Sequence, residues 1–188
     1  MLIKLWTVRP ESDFSLLQQQ GFYTADNVYV MPERRAAYQW MARQLAAKTP
    51  APAGVDLPLW AWRHAHGNRK SRPDLRKRGH LEKGEAGVRI EFSLPQEQVL
   101  LSSFDGWHAV FNHHFFSLDD EEYEYHERLE TELAADELEQ AKQQSWLRIF
   151  NLDLLPDPAV YEVQAVFCRL ALDSVTKVDY FTSRCQKN

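Results

Sequence analysis

The chain has 188 residues, 44% of them hydrophobic and 12% aromatic, with a formal net charge of −5. That length suits one domain with a sizeable core, and this much apolar material excludes a disordered chain. A uniformly basic protein is excluded as well; no run approaches the ~18 apolar residues of a membrane span and MLIKLWTVRP has no small-residue cleavage site, so a soluble cytoplasmic protein is expected.

Residues 2–8, LIKLWTV, form an apolar run ended by Arg9 and Pro10, the pattern of a strand buried on both faces. In PESDFSLLQQQG the proline and acids come first, Phe14 and Leu17 stand three apart, and Gly21 follows, which predicts a short helix closed by glycine. FYTADNVYV, residues 22–30, reads as a strand or an irregular extended segment. Beyond Pro32, residues Ala37, Trp40, Met41, Gln44 and Leu45 recur at helical spacing. TPAPAGVDLP is a loop by its prolines and glycine, and LWAW has the aromatic content of a short strand. Residues 63–87 then form a basic loop, expected to be mobile.

VRIEFSL alternates strictly, with Val88, Ile90, Phe92 and Leu94 on one face and Arg89, Glu91 and Ser93 on the other, so it predicts a half-buried strand. EQVLL adds another short strand. Ser102, Ser103, Phe104 and Asp105 offer a capping box before a helix that carries Trp107, Val110, Phe111, His114 and Phe115 on one face and runs to Phe116. The stretch from Asp119 to about Phe150 has helix formers and no proline, predicting one or two helices with a charged outer face. VYEVQAVFCRLAL and SVTKVDYFTS supply closing strands, with Cys168 packed in one of them and Cys185 in the tail, both free thiols. The order implies a single α+β domain over residues 1–188, with mixed or antiparallel strands from both ends of the chain and a helical middle.

The residues LWTVRPESDFSLLQQQGFY, AYQWM, LPLWAW, EQVLLSSFDGWHAVFN, SW and VQAVF occur in this order over most of the chain and resemble an uncharacterised bacterial family known only as a domain of unknown function. That resemblance implies no activity. A second one covers about the first 25 residues and the strand-rich termini: a first strand carrying Thr7 and Arg9, then a helix ending at Gly21, is similar to the opening of ADP-ribosyltransferase-like folds. It implies a NAD-using enzyme in which Thr7 and Arg9 grip the ribose or nicotinamide, Trp60 or Trp62 supplies an aromatic face, and a late acid supports glycosidic cleavage. Glu162, Val163 and Gln164 resemble the Gln/Glu-x-Glu motif of those enzymes in spacing, with glutamine at the second catalytic position. Gln164 cannot act as a carboxylate, so under this resemblance either Glu162 or another acid serves, or no transfer occurs.

Read without any resemblance, the charge pattern points elsewhere. Residues 63–83 hold eight Lys/Arg against Asp74 and Glu82, whereas residues 119–139 hold eleven Asp/Glu against Arg128. Arg63, Arg69, Lys70, Arg72, Arg76, Lys77 and Arg78 follow directly on Trp60 and Trp62. Guanidinium groups pair with phosphate and aromatic faces stack on bases, so RNA, DNA or a nucleotide diphosphate suits this segment, although most charge runs are solvated loops. The second functional expectation is therefore a non-catalytic nucleic-acid or anion binder. A third is a protein-interaction module that presents Glu121, Glu122 and Glu124 to a basic partner.

Several other features carry a plainer reading. Trp60 and Trp62 would share a strand face, which occurs more often in cores than in ligand platforms. His64 and His66 would share it too, but an HxH pair without a third ligand predicts no metal site. His114 reads as a packed histidine. Ser102, Ser103, Asp105 and His108 contain nucleophile chemistry, yet helix capping explains them better. GxGxxG, Walker and HExxH motifs are absent.

Overall fold

Alternation of apolar residues draws strands from both ends of the chain into one sheet. In the computed structural model, which describes residues 1–25, 30–77, 79–155 and 157–184, these are β1 (Leu2–Pro10), β3 (Leu59–His64), β4 (Ala86–Pro95), β5 (Leu100–Ser103), β6 (Val163–Phe167) and β8 (Val175–Thr182). They lie in the order β5-β6-β3-β1-β4-β8 with every pairing antiparallel. A second ribbon pairs β2 (Phe22–Tyr23) with β7 (Leu170–Ala171). The helices are α1 (Glu11–Gln20), α2 (Arg35–Lys48), α3 (Phe104–Phe111), α4 (Asp120–Glu132) and α5 (Ala135–Trp146). The fold is α+β, and none of the described helices is long and apolar enough to cross a membrane.

The two sheet faces are covered differently. Leu5, Leu59, Ile90, Phe92, Ala165 and Phe167 share one face with Phe14 and Leu17 of α1. Helix α1 stops where expected, because Gly21 takes φ 75° and its N–H returns to the Leu17 carbonyl at 2.9 Å. On the other face Trp60, Leu100 and Val166 meet Trp40, Met41, Trp107, Val110 and Trp146 from α2, α3 and α5. These helices cover the half of the face nearest β5 and β6. Over the β4 and β8 half lies the segment between β3 and β4.

That segment departs from the expected mobile loop, because specific bonds tie it down. Ala65 N–H donates to the Ser71 carbonyl at 2.9 Å, Asn68 N–H to the Pro158 carbonyl at 2.9 Å, and His64 Nδ1 lies 2.7 Å from Ser71 Oγ. Gly67, at φ 74°, is pressed so closely on the Ala159 carbonyl that no Cβ would fit. Arg89 was expected on a solvent face but is only 7% exposed, because its guanidinium donates to the Pro73 carbonyl at 2.5 Å and to Asp179 at 2.6 Å. The loop roofs this side of β4. Arg78 lies outside the described residues, as do Cys185 and part of the 22–30 segment.

Two further placements, those of the α3 end and of Cys168, differ from expectation. Helix α3 ends at Phe111, not Phe116: Asn112 leaves helical geometry and His113 adopts φ 60°. His114 and Phe115 are therefore off the helix, and His114 is exposed where a packed histidine was expected. The acidic stretch forms two helices, within the one or two expected, with the break between α4 and α5 at Leu133 and Ala134, which are both extended. Cys168 lies just past β6 and is partly buried, which pushes its thiol pKa up.

Candidate functional site: a cleft over β1 and β3

β1 and β3 share a single register pair, Trp6 with Trp62. Beyond it the two strands are joined by a side chain: the Thr7 hydroxyl donates to the Trp60 carbonyl at 3.1 Å. A cavity of about 430 Å³ stands at this place, between the helical cover and the basic loop. Its floor is Thr7, Val8, Trp62 and Gln164; Tyr38, Phe104 and Trp107 form one wall, and Gly79 and His80 the opposite one. The volume is that of a small-molecule pocket.

Aromatic rings keep the cleft open. Trp60 and Trp107 have centroids 4.6 Å apart, Trp62 and Phe104 4.8 Å, and Tyr38 meets Trp60 edge-on at 5.9 Å. Rings packed in tilted and edge-on pairs of this kind brace one another and do not collapse into the space between them. Trp60 and Trp62 are half-buried and line the cavity, and Trp60 also packs against the helical core as its strand face suggests. Burial raises the Tyr38 phenol pKa, which keeps the hydroxyl protonated as a hydrogen-bond donor. The Trp60 indole Nε1 is buried without a hydrogen-bond partner.

A second cavity of about 420 Å³ shares Arg9, Tyr38 and Trp60 with the first. Ala25, Val30, Leu57 and Pro58 make it apolar, and Asp13 and Glu85 add two carboxylates. Arg9 stands at the junction. Its Nη1 donates to Asp13 at 3.2 Å and to the Tyr23 hydroxyl at 3.4 Å, and its guanidinium lies 4.8 Å from the Tyr23 ring centroid. A guanidinium has five N–H donors, and these contacts occupy only the Nη1 end.

Of the residues singled out for NAD chemistry, Thr7, Arg9, Trp60, Trp62 and Gln164 thus come together, and Glu162 does not line the cavity. Glu162 precedes β6 by one residue, and its carboxylate lies 3.2 Å from His66 Nδ1, which Lys77 Nζ also approaches to 3.1 Å. A register shift between Trp62 and His64 breaks the alternation, so the two histidines do not continue the tryptophan face. Burial, aided by Arg63, lowers the His64 pKa. No group of three potential metal ligands occurs among the described residues.

The remaining basic residues divide. Arg63 donates to the Lys4 carbonyl at 3.1 Å, and Arg76 is clamped on Asp74 at 2.6 Å, which holds that carboxyl well below its usual range. Arg69, Lys70, Arg72 and Lys77 are exposed on the loop whose Gly79 and His80 border the cleft. On the acidic side, Glu122 is taken by Arg148 through bonds of 2.9 and 3.0 Å, while Glu121 and Glu124 are exposed. Ser103 caps α3 by accepting from Gly106 N–H at 3.1 Å, in keeping with the capping reading.

Sequence reasoning passed over Tyr38, Phe104 and His80 as site residues. The available signal was the aromatic excess of AYQWM and SFDGWHAVF, whose rings outnumber what one helix stripe can bury. The chain matches, over residues 4–176, the model of a family described as a domain of unknown function (DUF3841). No curated protein and no solved structure matches it.

Proposed function

We propose that this chain, which belongs to the DUF3841 family, is a cytoplasmic nucleotide-handling protein whose cleft takes NAD. The observation that carries the reading is the meeting of Thr7, Arg9, Trp60, Trp62 and Gln164 around one cavity joined to a second. Two ring-sized chambers with a guanidinium at their junction match the chemistry of two nucleosides linked by pyrophosphate. The aromatic chamber suits a planar ring, stacked on Trp62. In the other, apolar walls suit a base, and the Asp13 and Glu85 carboxylates can accept from ribose hydroxyls or an amino group. The free donors of Arg9 face neither need and are available to the anionic link.

An ADP-ribosyl transfer at this site would break the bond between ribose and nicotinamide and join the ribose carbon to an acceptor nucleophile, with the nucleophile's proton passing to a base. Glu162 is the candidate to stabilise the developing positive charge. It is held by His66 outside the cavity, so transfer requires the 158–162 segment to shift; without that shift the cleft binds and does not transfer. The exposed Arg69, Lys70, Arg72 and Lys77, on the same loop as the cleft-lining Gly79 and His80, favour a nucleic acid as the acceptor. They equally suit the second reading, a non-catalytic RNA or DNA binder.

Titration calorimetry with NAD, followed by incubation of labelled NAD with protein and nucleic-acid acceptors, separates these readings. NAD binding with release of nicotinamide or labelled product supports the enzyme. Salt-sensitive oligonucleotide binding with no NAD binding supports the binder and removes the NAD reading.

A further inference from the structure

Gln164 holds the place at which the sequence spacing invites a catalytic carboxylate, and its surroundings fit another task. It is 4% exposed, at the centre of a row that runs across the sheet from Ser102 through Gln164 and Trp62 to Trp6. Its amide Nε2 donates to Ser102 Oγ at 3.1 Å, and Ser102 itself is fully buried. The Gln164 carbonyl oxygen has no hydrogen-bond partner among the described residues and is not one of their fully buried unpaired atoms, which are Trp60 Nε1 and His66 Nε2, so it is reached from the cleft that Gln164 lines. An amide anchored at one end and open at the other holds its acceptor in a fixed direction, where a ligand donor can meet it.

We propose that Gln164, held by Ser102, selects the ring bound in the aromatic chamber by reading a planar edge with adjacent hydrogen-bond donor and acceptor, such as a primary carboxamide or an aminopurine edge. The proposal rests on the nucleotide reading above. Its geometry follows from the strand register: Trp62 and Gln164 are cross-strand neighbours, their Cβ atoms about 5 Å apart, so a ring lying on Trp62 presents its edge to the amide. A carboxylate on the same ring brings only acceptors against the Gln164 oxygen and is rejected. Gln164 is in this sense a specificity-determining residue. Being neutral at every accessible pH, it takes no part in proton transfer.

Two ligand pairs test this by calorimetry on the full chain: nicotinamide mononucleotide against nicotinic acid mononucleotide, and AMP against the purine ribonucleotide that lacks the amino group. The expected result is a preference of roughly tenfold or more for the amide or amino member of at least one pair, and the pair that shows it identifies the ring in the chamber. In Gln164→Leu the preference should fall to within about twofold, because the favoured member loses its hydrogen bond and the acid no longer faces an opposed oxygen, while stacking on Trp62 remains. Gln164→Met keeps the side-chain length and removes both polar atoms, so it serves if the leucine variant does not fold; it too should bring the favoured pair to within about twofold. Equal binding within both wild-type pairs, or a preference that survives both substitutions, overturns the role of Gln164 and leaves the nucleotide reading standing. No binding of any of the four overturns both.

Discussion

On one face of the sheet Leu5, Ile90, Phe92, Ala165 and Phe167 are at most 1% exposed and packed under α1, whereas the same strands turn Trp62, Gln164 and Arg89 to the other face, where a cavity of about 430 Å³ remains. The difference lies in how each face can be filled. Aliphatic and phenyl groups with free choice of rotamer close a face to crystal-like density. Indole rings braced at a tilt between a helix and a strand cannot follow one another inward, and buried polar groups such as Gln164 and Arg89 must keep their partners. Stability should therefore be concentrated on the first face and recognition on the second.

The largest expected effect breaks the filled face. Phe92→Ala should cost about 3–5 kcal/mol of unfolding free energy in urea, with ligand binding retained wherever the variant is still folded. A loss below about 1 kcal/mol would mean that the face is not close-packed. Next, Asp179→Asn leaves buried Arg89 with the Pro73 carbonyl alone; because Asp179 is itself 27% exposed, a loss of about 2–3 kcal/mol is expected.

This second effect has a definite pH dependence. The hydrogen bonds from Arg89, with help from Lys177, hold the Asp179 carboxyl below its ordinary value of 3.8. Its contribution is complete above that value and is lost as pH falls through the lower folded-state pKa. The stability gap between wild type and Asp179→Asn should stay constant near neutrality and close on acidification; a gap that widens in acid would contradict the pairing.

A third test sharpens the contrast. Trp62→Ala should remove about 1–3 kcal/mol of nucleotide affinity, read by calorimetry, while costing less stability than Phe92→Ala. Smallest of all, neutralising Arg69 and Lys70 to glutamine should leave unfolding within about 0.5 kcal/mol of wild type. If these side chains contact phosphates, the slope of log affinity against log salt should flatten by about one for each.

The fold was largely legible where one side-chain period served one environment. The alternation of Val88, Ile90, Phe92 and Leu94, the spacing of Trp40, Met41 and Leu45, and the glycine stop at Gly21 all coincide with what the strands and helices do. Arg89 was misread because a polar residue on a strand's second face normally marks solvent, and nothing local announces that Pro73 folds back over it. His114 was misread because helical spacing continues in the sequence past Phe111, while the chain itself turns at His113. The loop of residues 63–87 was misread for a similar reason: its restraints are the Pro158 and Ala159 carbonyls, about 90 positions away.

By itself the sequence determined which residues are apolar at which period, where helices cap and stop, and that the charge is split between a basic segment and an acidic one. It also marked Thr7, Arg9, Trp60, Trp62 and Gln164 individually. Only the tertiary structure decided that these five share one cleft while Glu162 stands outside it. The reason is that side-chain period encodes the face on which a residue lies, whereas the neighbour across a strand depends on sheet order and on a register shift between Trp62 and His64 that leaves no local trace in the sequence.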